Sequence, residues 1–261
     1  MSYRSWLKDV THINDIDPFA TMLNYDHDDH EKMDDARTNK LIEYFRRPIP
    51  SAVQNHRFFN GRMHDAQFIS LQYDRKTAKV TLNDLDAETL VNDTNNVLGL
   101  NHPKIVIPVD LVFHDVLFCT TLRPDLKDSL RYDNIASALP ETADFCLNFI
   151  GDWFWETEQR VQWVGNVYAQ KGPSHKLDSN IYILIDCATA TAIDRRLPAL
   201  KKIFGPNIIP LWNDYLNRID FPEEPAYYPQ FVGGFYDYFE RRLPAHGLTW
   251  EDLRPSQNAS T

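Results

Sequence analysis

The sequence predicts an α+β protein: a mainly antiparallel sheet with an N-terminal helix and a C-terminal group of short helices. Three observations carry this expectation. Between Arg62 and Phe118 lie three apolar-alternating runs, R-M-H-D-A-Q-F-I-S-L-Q-Y, K-V-T-L-N-D-L-D and K-I-V-I-P-V-D-L-V-F-H-D-V-L-F, with the period of half-buried strands. Ahead of them, Asp29 to Arg47 has helical start and stop signals. After Thr191 the texture changes to short helical segments. Short hairpin-like links between the strands favour antiparallel pairing.

In chain order, Trp6, Leu7 and Val10 provide one docking turn in a polar start. A helix is expected over 30–46. Asp28 or Asp29 caps it, Leu41, Ile42 and Phe45 form its stripe, and Pro48 and Pro50 stop it. The first strand is expected over 66–73, with Ile69, Leu71 and Tyr73 on one face. Asp74 to Thr77 is a hairpin loop, and the return strand spans 79–84. A polar connection over 86–103 leads to a strand over 105–118, where Pro108 argues for an edge position or a bulge. Residues 123–142 read as a loop, and 144–150 fit either a strand, on Phe145, Leu147 and Phe149, or a helix, on Phe145, Phe149 and Trp153, with the strand preferred. Further strands are expected over 160–169 and 181–187. Helices follow at Leu197 to Phe204, Pro210 to Ile219 and 230–242, and Leu248 to Leu253 is a last capped turn. Ile107, Leu111, Phe113 and Ile183 are the expected core. The chain of 261 residues reads as one domain, with a helical arm (1–61), a sheet core (62–190) and a helical segment (191–261).

With 37 acidic and 27 basic residues the net charge is −10, which disfavours nucleic acid and favours a basic protein partner. Plain solubility is the simpler use of that charge. Cys119, Cys146 and Cys187 all lie in apolar runs without metal-like spacing, so buried free thiols in a reducing, cytoplasmic setting are expected. The start lacks an apolar run, so no secretory leader is expected, and no stretch is apolar enough for a membrane span.

Four features invite chemistry. The doublets His64-Asp65 and His114-Asp115 are a candidate polar site and evoke metal-dependent hydrolysis. Neighbouring residues of a strand point to opposite faces, however, so each doublet offers one ligand per face. The plainer reading is that Asp65 bonds turn amides. The run Asp26-His27-Asp28-Asp29-His30 has metal-ligand residue types, with His27 and His30 one helix turn apart; a solvated acidic helix start is the plainer reading. Asp28, Asp29, Asp34 and Asp35 form a candidate interaction face. Trp153, Trp155 and Trp163 form a candidate aromatic cleft, against the simpler reading of core. No nucleophile elbow, phosphate loop, dinucleotide fingerprint or C-x-x-C is present, and no metal or cofactor is expected.

The strand opening H-D-A-x-x-I on His64, Asp65, Ala66 and Ile69, with Val109, Leu111, Phe113 and Val116 later, resembles small bacterial immunity-protein-like proteins of polymorphic toxin systems. The resemblance covers about a fifth of the chain. It implies a non-catalytic cytoplasmic protein that binds a partner toxin, and it carries over no catalytic residue. The reading is therefore a non-enzymatic protein-binding protein, of immunity or antitoxin type, acting on a basic partner. The alternatives are a metal-dependent hydrolase using the His-Asp doublets, or a small-molecule-binding domain with the aromatic cleft.

Overall fold

A computed structural model describes residues 49–59, 63, 66–99, 106–123, 130–132, 145–156, 160–171, 179–219 and 240–254. The described residues form ten strands: β1 (Val53–Gln54), β2 (Ala66–Tyr73), β3 (Thr77–Asn83), β4 (Pro108–His114), β5 (Phe118–Arg123), β6 (Leu130–Tyr132), β7 (Phe145–Glu156), β8 (Val161–Lys171), β9 (Ser179–Cys187) and β10 (Thr189–Asp194). The helices are α1 (Leu85–Val97), α2 (Arg196–Phe204) and α3 (Ile208–Ile219), with short 3-10 turns beside them. The strands join in one sheet in the order β1-β10-β4-β3-β2-β7-β8-β9-β5-β6.

This corrects the expected α+β arrangement. A large mixed sheet dominates: β1 runs parallel to β10, while β7, β8, β9, β5 and β6 pair antiparallel. The first described helix follows β3 instead of preceding the sheet. The helix expected over 30–46 lies outside the described residues, as does most of the one expected over 230–242, of which 240–242 are helical.

The chain divides into two compact units. One takes the described residues up to Val80 and those of Leu111–Ala192; the other takes Thr81–Asp110 and the described residues from Ile193 on. In the first unit, alternation along β8 and β9 places Trp163, Val167, Ile181, Ile183 and Ile185 on one face, all buried. Phe113 of β4 lies 4.7 Å from Trp163 between ring centroids, and Phe59 bridges Phe113 and Phe154. Four strand spacings of about 4.8 Å separate β4 from β8 in the order, roughly 19 Å in a flat sheet. The sheet of this unit therefore curls around its aromatic core. Trp163 lies across Gly165, where an added Cβ would collide with its ring, and its indole N–H donates to the buried Asp152 Oδ2 at 2.7 Å.

The second unit packs Ala87 and Val91 of α1 and Ile107 against Leu200, Ile203, Phe204, Leu211 and Trp212 of α2 and α3. Asp84 caps α1 by accepting from the Ala87 amide at 3.0 Å. Gly205 ends α2 at a φ of 70°, and a Thr249/Asp252 capping box opens the last 3-10 turn, both as the sequence suggests.

The expected strands 66–73, 79–84, 160–169 and 181–187 match β2, β3, β8 and β9 within two residues, and the described part of 144–150, from Phe145 on, falls in the longer β7. Ile107, Leu111, Phe113 and Ile183 are all fully buried. Several readings are corrected. The run 105–118 is not one strand but two, broken by a turn after His114. Pro108 opens β4, an interior strand of the order; the first strand residue is the other position that tolerates a missing N–H. The polar connection over 86–103 contains α1, hidden because its buried side includes Glu88, Thr94 and Asn95 beside Ala87 and Val91. In β2 the buried row is Ala66 and Phe68, so Ile69 and Tyr73 face outward. Cys146 is exposed, unlike the buried Cys119 and Cys187, although all three thiols are free.

Candidate interaction surface

Two turns of the first unit meet and form one surface. The hairpin between β2 and β3 is closed by Asp74, whose amide donates to the Thr77 carbonyl at 3.1 Å. Its Oδ1 accepts from the amides of Lys76 (3.1 Å) and Thr77 (2.7 Å). Those two N–H donors hold the Asp74 carboxyl below its usual range. The turn between β4 and β5 starts at Asp115, directly after His114, the last residue of β4. The Val116 amide donates to the Lys76 carbonyl at 2.9 Å, and this bond joins the turns.

Both turns contain a non-glycine residue in the left-handed region, Arg75 (φ 76°) and Asp115 (φ 50°). Such residues persist where surrounding structure over-determines them. Around the second turn that structure is explicit. The Leu117 amide donates to the Asp186 carbonyl at 2.9 Å, and the Ala188 amide to the His114 carbonyl at 3.0 Å. Arg160 reaches across: its Nη2 donates to the Asp115 carbonyl at 2.6 Å and its Nε to Asp186 Oδ1 at 2.5 Å. Asp186, itself fully buried, also accepts from Gln162 Nε2 at 3.1 Å.

The result is a surface with fixed backbone and exposed side chains. Asp74, Arg75, Lys76, His114 and Asp115 are exposed, and so are two large apolar residues, Tyr73 (39%) and Leu117 (43%). Apolar anchors within a charged rim are the composition of a protein-binding patch.

The other residues singled out from sequence fall elsewhere. His64 and Asp65 lie outside the described residues, as do Asp28, Asp29, Asp34, Asp35, His27 and His30. The structure thus places one doublet, His114-Asp115, at an exposed turn. Among the described residues no group of three or more His, Cys, Asp or Glu stands close enough to hold a metal ion. Trp153 and Trp163 occupy opposite faces of the sheet, since Trp163 pairs with Phe154 and Trp153 with Val164; position 155 pairs with Gln162. Trp163 belongs to the aromatic core, while Trp153 packs edge-on against Tyr182 on the other side. Among the described residues no helix is long and apolar enough to cross a membrane.

Sequence reasoning missed Arg160 and Asp186. One signal was present: Asp186 is the sole charge in the apolar run Ile181-Tyr-Ile-Leu-Ile-Asp-Cys187, and a carboxylate in such a strand needs a buried partner.

No family model, curated protein or solved structure matches the chain.

Proposed function

We propose that this chain is a non-enzymatic protein-binding protein, of the immunity or antitoxin-like inhibitor type, acting on a basic partner. The observation that supports the reading best is the pair of bonded turns presenting Tyr73 and Leu117 amid charged side chains. A pre-formed surface loses little freedom on binding, which leaves more of the contact energy as affinity. The excess of 37 acidic over 27 basic residues supplies long-range attraction for a basic protein. Charge then governs the association rate, and the apolar anchors govern dissociation.

The buried carboxylates of the described residues support a structural use of acidity inside the fold. Asp186 bonds Arg160, Asp152 accepts from Trp163, Asp84 pairs with Arg196, and Asp110 lies 2.6 Å from Arg195 Nη2. Three of these carboxylates face a guanidinium, and Asp152 accepts from an indole N–H.

The test is retention of a protein from native lysate by the full chain, followed by association kinetics of the retained partner at two salt concentrations. Association should slow from low to physiological salt, since exposed charges are screened beyond about 8–10 Å. Neutralising Asp28, Asp29, Asp34 and Asp35 together should slow it further and leave the fold intact. Association that ignores both salt and the quadruple variant contradicts the basic-partner reading.

A further inference from the structure

We infer that Arg160 is the positioning residue of this surface: it holds the His114 to Leu117 turn in its left-handed conformation from the buried Asp186. The inference rests on the reading of the two turns as the interaction surface. Its geometry stands on the described residues alone.

The guanidinium makes three contacts around the turn. Nε meets Asp186 Oδ1 at 2.5 Å, Nη2 meets the Asp115 carbonyl at 2.6 Å, and Nη2 also lies 3.4 Å from the Asp186 carbonyl. One end of this bridge lies in the interior of the sheet. Asp186 sits in β9, paired to Gln162 of β8 on one side and Phe118 of β5 on the other, and its side chain is fully buried. The other end is the carbonyl of a residue at φ 50°, a conformation that non-glycine residues adopt reluctantly. The Arg160 side chain is itself 18% exposed, so it spans from the interior to the surface. A planar fork can donate in two fixed directions at once, whereas a lysine ammonium acts as a point charge. Arg160 therefore couples the core to the backbone on which His114 and Leu117 are displayed, without contributing its own side chain to the anchors.

Amide hydrogen exchange of the full chain, free of partner, tests this. Arg160→Lys keeps a positive charge near Asp186 but gives up the fork. The Val116 and Leu117 amides, bonded to Lys76 and Asp186, should exchange about tenfold faster or more, while Val164 and Leu184 in the paired strands keep their protection. A second variant makes the test specific. Glycine adopts the left-handed region freely, so Asp115→Gly added to Arg160→Lys should restore most of the lost protection. Unchanged exchange at Val116 and Leu117 overturns the inference. So does loss of protection throughout the strands, failure of the variant to fold, or a double variant that recovers nothing. Because the readout needs no partner, failure of the protein-binding proposal leaves this result standing, and the reverse also holds.

Discussion

Arg160 in the first unit and Arg196 in the second both rest on buried aspartates, and the contrast between them separates support from display. Arg196 is buried. Its Nη1 donates to Asp84 at 2.8 Å, and Nε and Nη2 donate to the two carboxyl oxygens of Asp194 at 3.0 and 3.1 Å. The guanidinium lies 5.2 Å from the centroid of the Trp212 ring, within cation–π range. Burial works against that charge, but the hydrogen bonds it donates to Asp194 and the charges of Asp84 and Asp194 outweigh it and raise the Arg196 pKa. Since Asp84 also caps α1, this arginine ties a helix start, a strand end and a helix core together. Arg160 instead divides its donors between a buried carboxylate and an exposed turn. The same pairing chemistry holds the interior of one unit and positions a surface on the other.

The largest expected effect comes from breaking the buried pair. Arg196→Met leaves Asp84 and Asp194 without their countercharge and should cost about 3–5 kcal/mol in denaturant unfolding. Arg196→Lys should recover only part, because the paired geometry needs a fork. A loss no greater than that of Arg160→Lys would erase the comparison.

Next comes Gly165→Ala, which drives a Cβ against the Trp163 ring in the first unit's core. Overpacking of this kind costs about 1–3 kcal/mol. The near-ultraviolet circular dichroism of the aromatic core should change with it. An unchanged spectrum and midpoint would mean that the ring does not lie across this glycine.

Arg160→Lys should cost less globally, about 1 kcal/mol, the scale of a single net hydrogen bond. Its main consequence should be local, at Val116 and Leu117. A global loss matching that of Arg196→Met would make the two arginines equivalent.

The smallest effects concern reactivity and pH. Burial pushes the Cys187 thiol up to about 12, so its thiolate is scarce near neutrality. Alkylation of the native chain should label Cys146 first, and denaturation should add Cys119 and Cys187. Early labelling of Cys187 would contradict its place in the strand core. Asp74 has a folded pKa lowered by the Thr77 and Lys76 amides, so its contribution to the hairpin is present above its ordinary value of 3.8 and is lost as pH falls through the lower folded value. Protection of the Thr77 amide should follow that acid limb, and loss already near neutral pH would contradict it.

The strands were legible because alternation is a local signal: Val80 and Leu82 in β3, Val161 and Trp163 in β8, and Ile181, Ile183 and Ile185 in β9 recur at every second residue. Which row of β2 is buried was not legible, since Ala66 and Phe68 compete with Ile69, Leu71 and Tyr73 on apolarity alone. α1 escaped because Asn83 and Glu88 satisfy each other inside (Nδ2 to Oε2, 2.6 Å), so polar residues occupy its covered side. β10 escaped because T-A-T-A-I-D leads almost directly into α2 and its buried row is only Ala190 and Ala192. At the candidate surface, His114 and Asp115 stood out for their chemistry, yet the structure uses Asp115 through its backbone carbonyl. Its partner Arg160, and the Asp186 on which Arg160 rests, are distant in sequence, and only folding brings the three together.

On the proposed reading, the exposed Tyr73, at the end of β2, and Leu117, in the turn after β4, anchor a partner protein. The most direct measurement is dissociation of the retained partner from the parent chain and from a Tyr73→Ser, Leu117→Ser variant, checked for an unchanged unfolding midpoint. Dissociation should be at least about tenfold faster from the variant, the loss expected when anchors of more than about 1.4 kcal/mol are removed. Equal dissociation from the two folded proteins would contradict it.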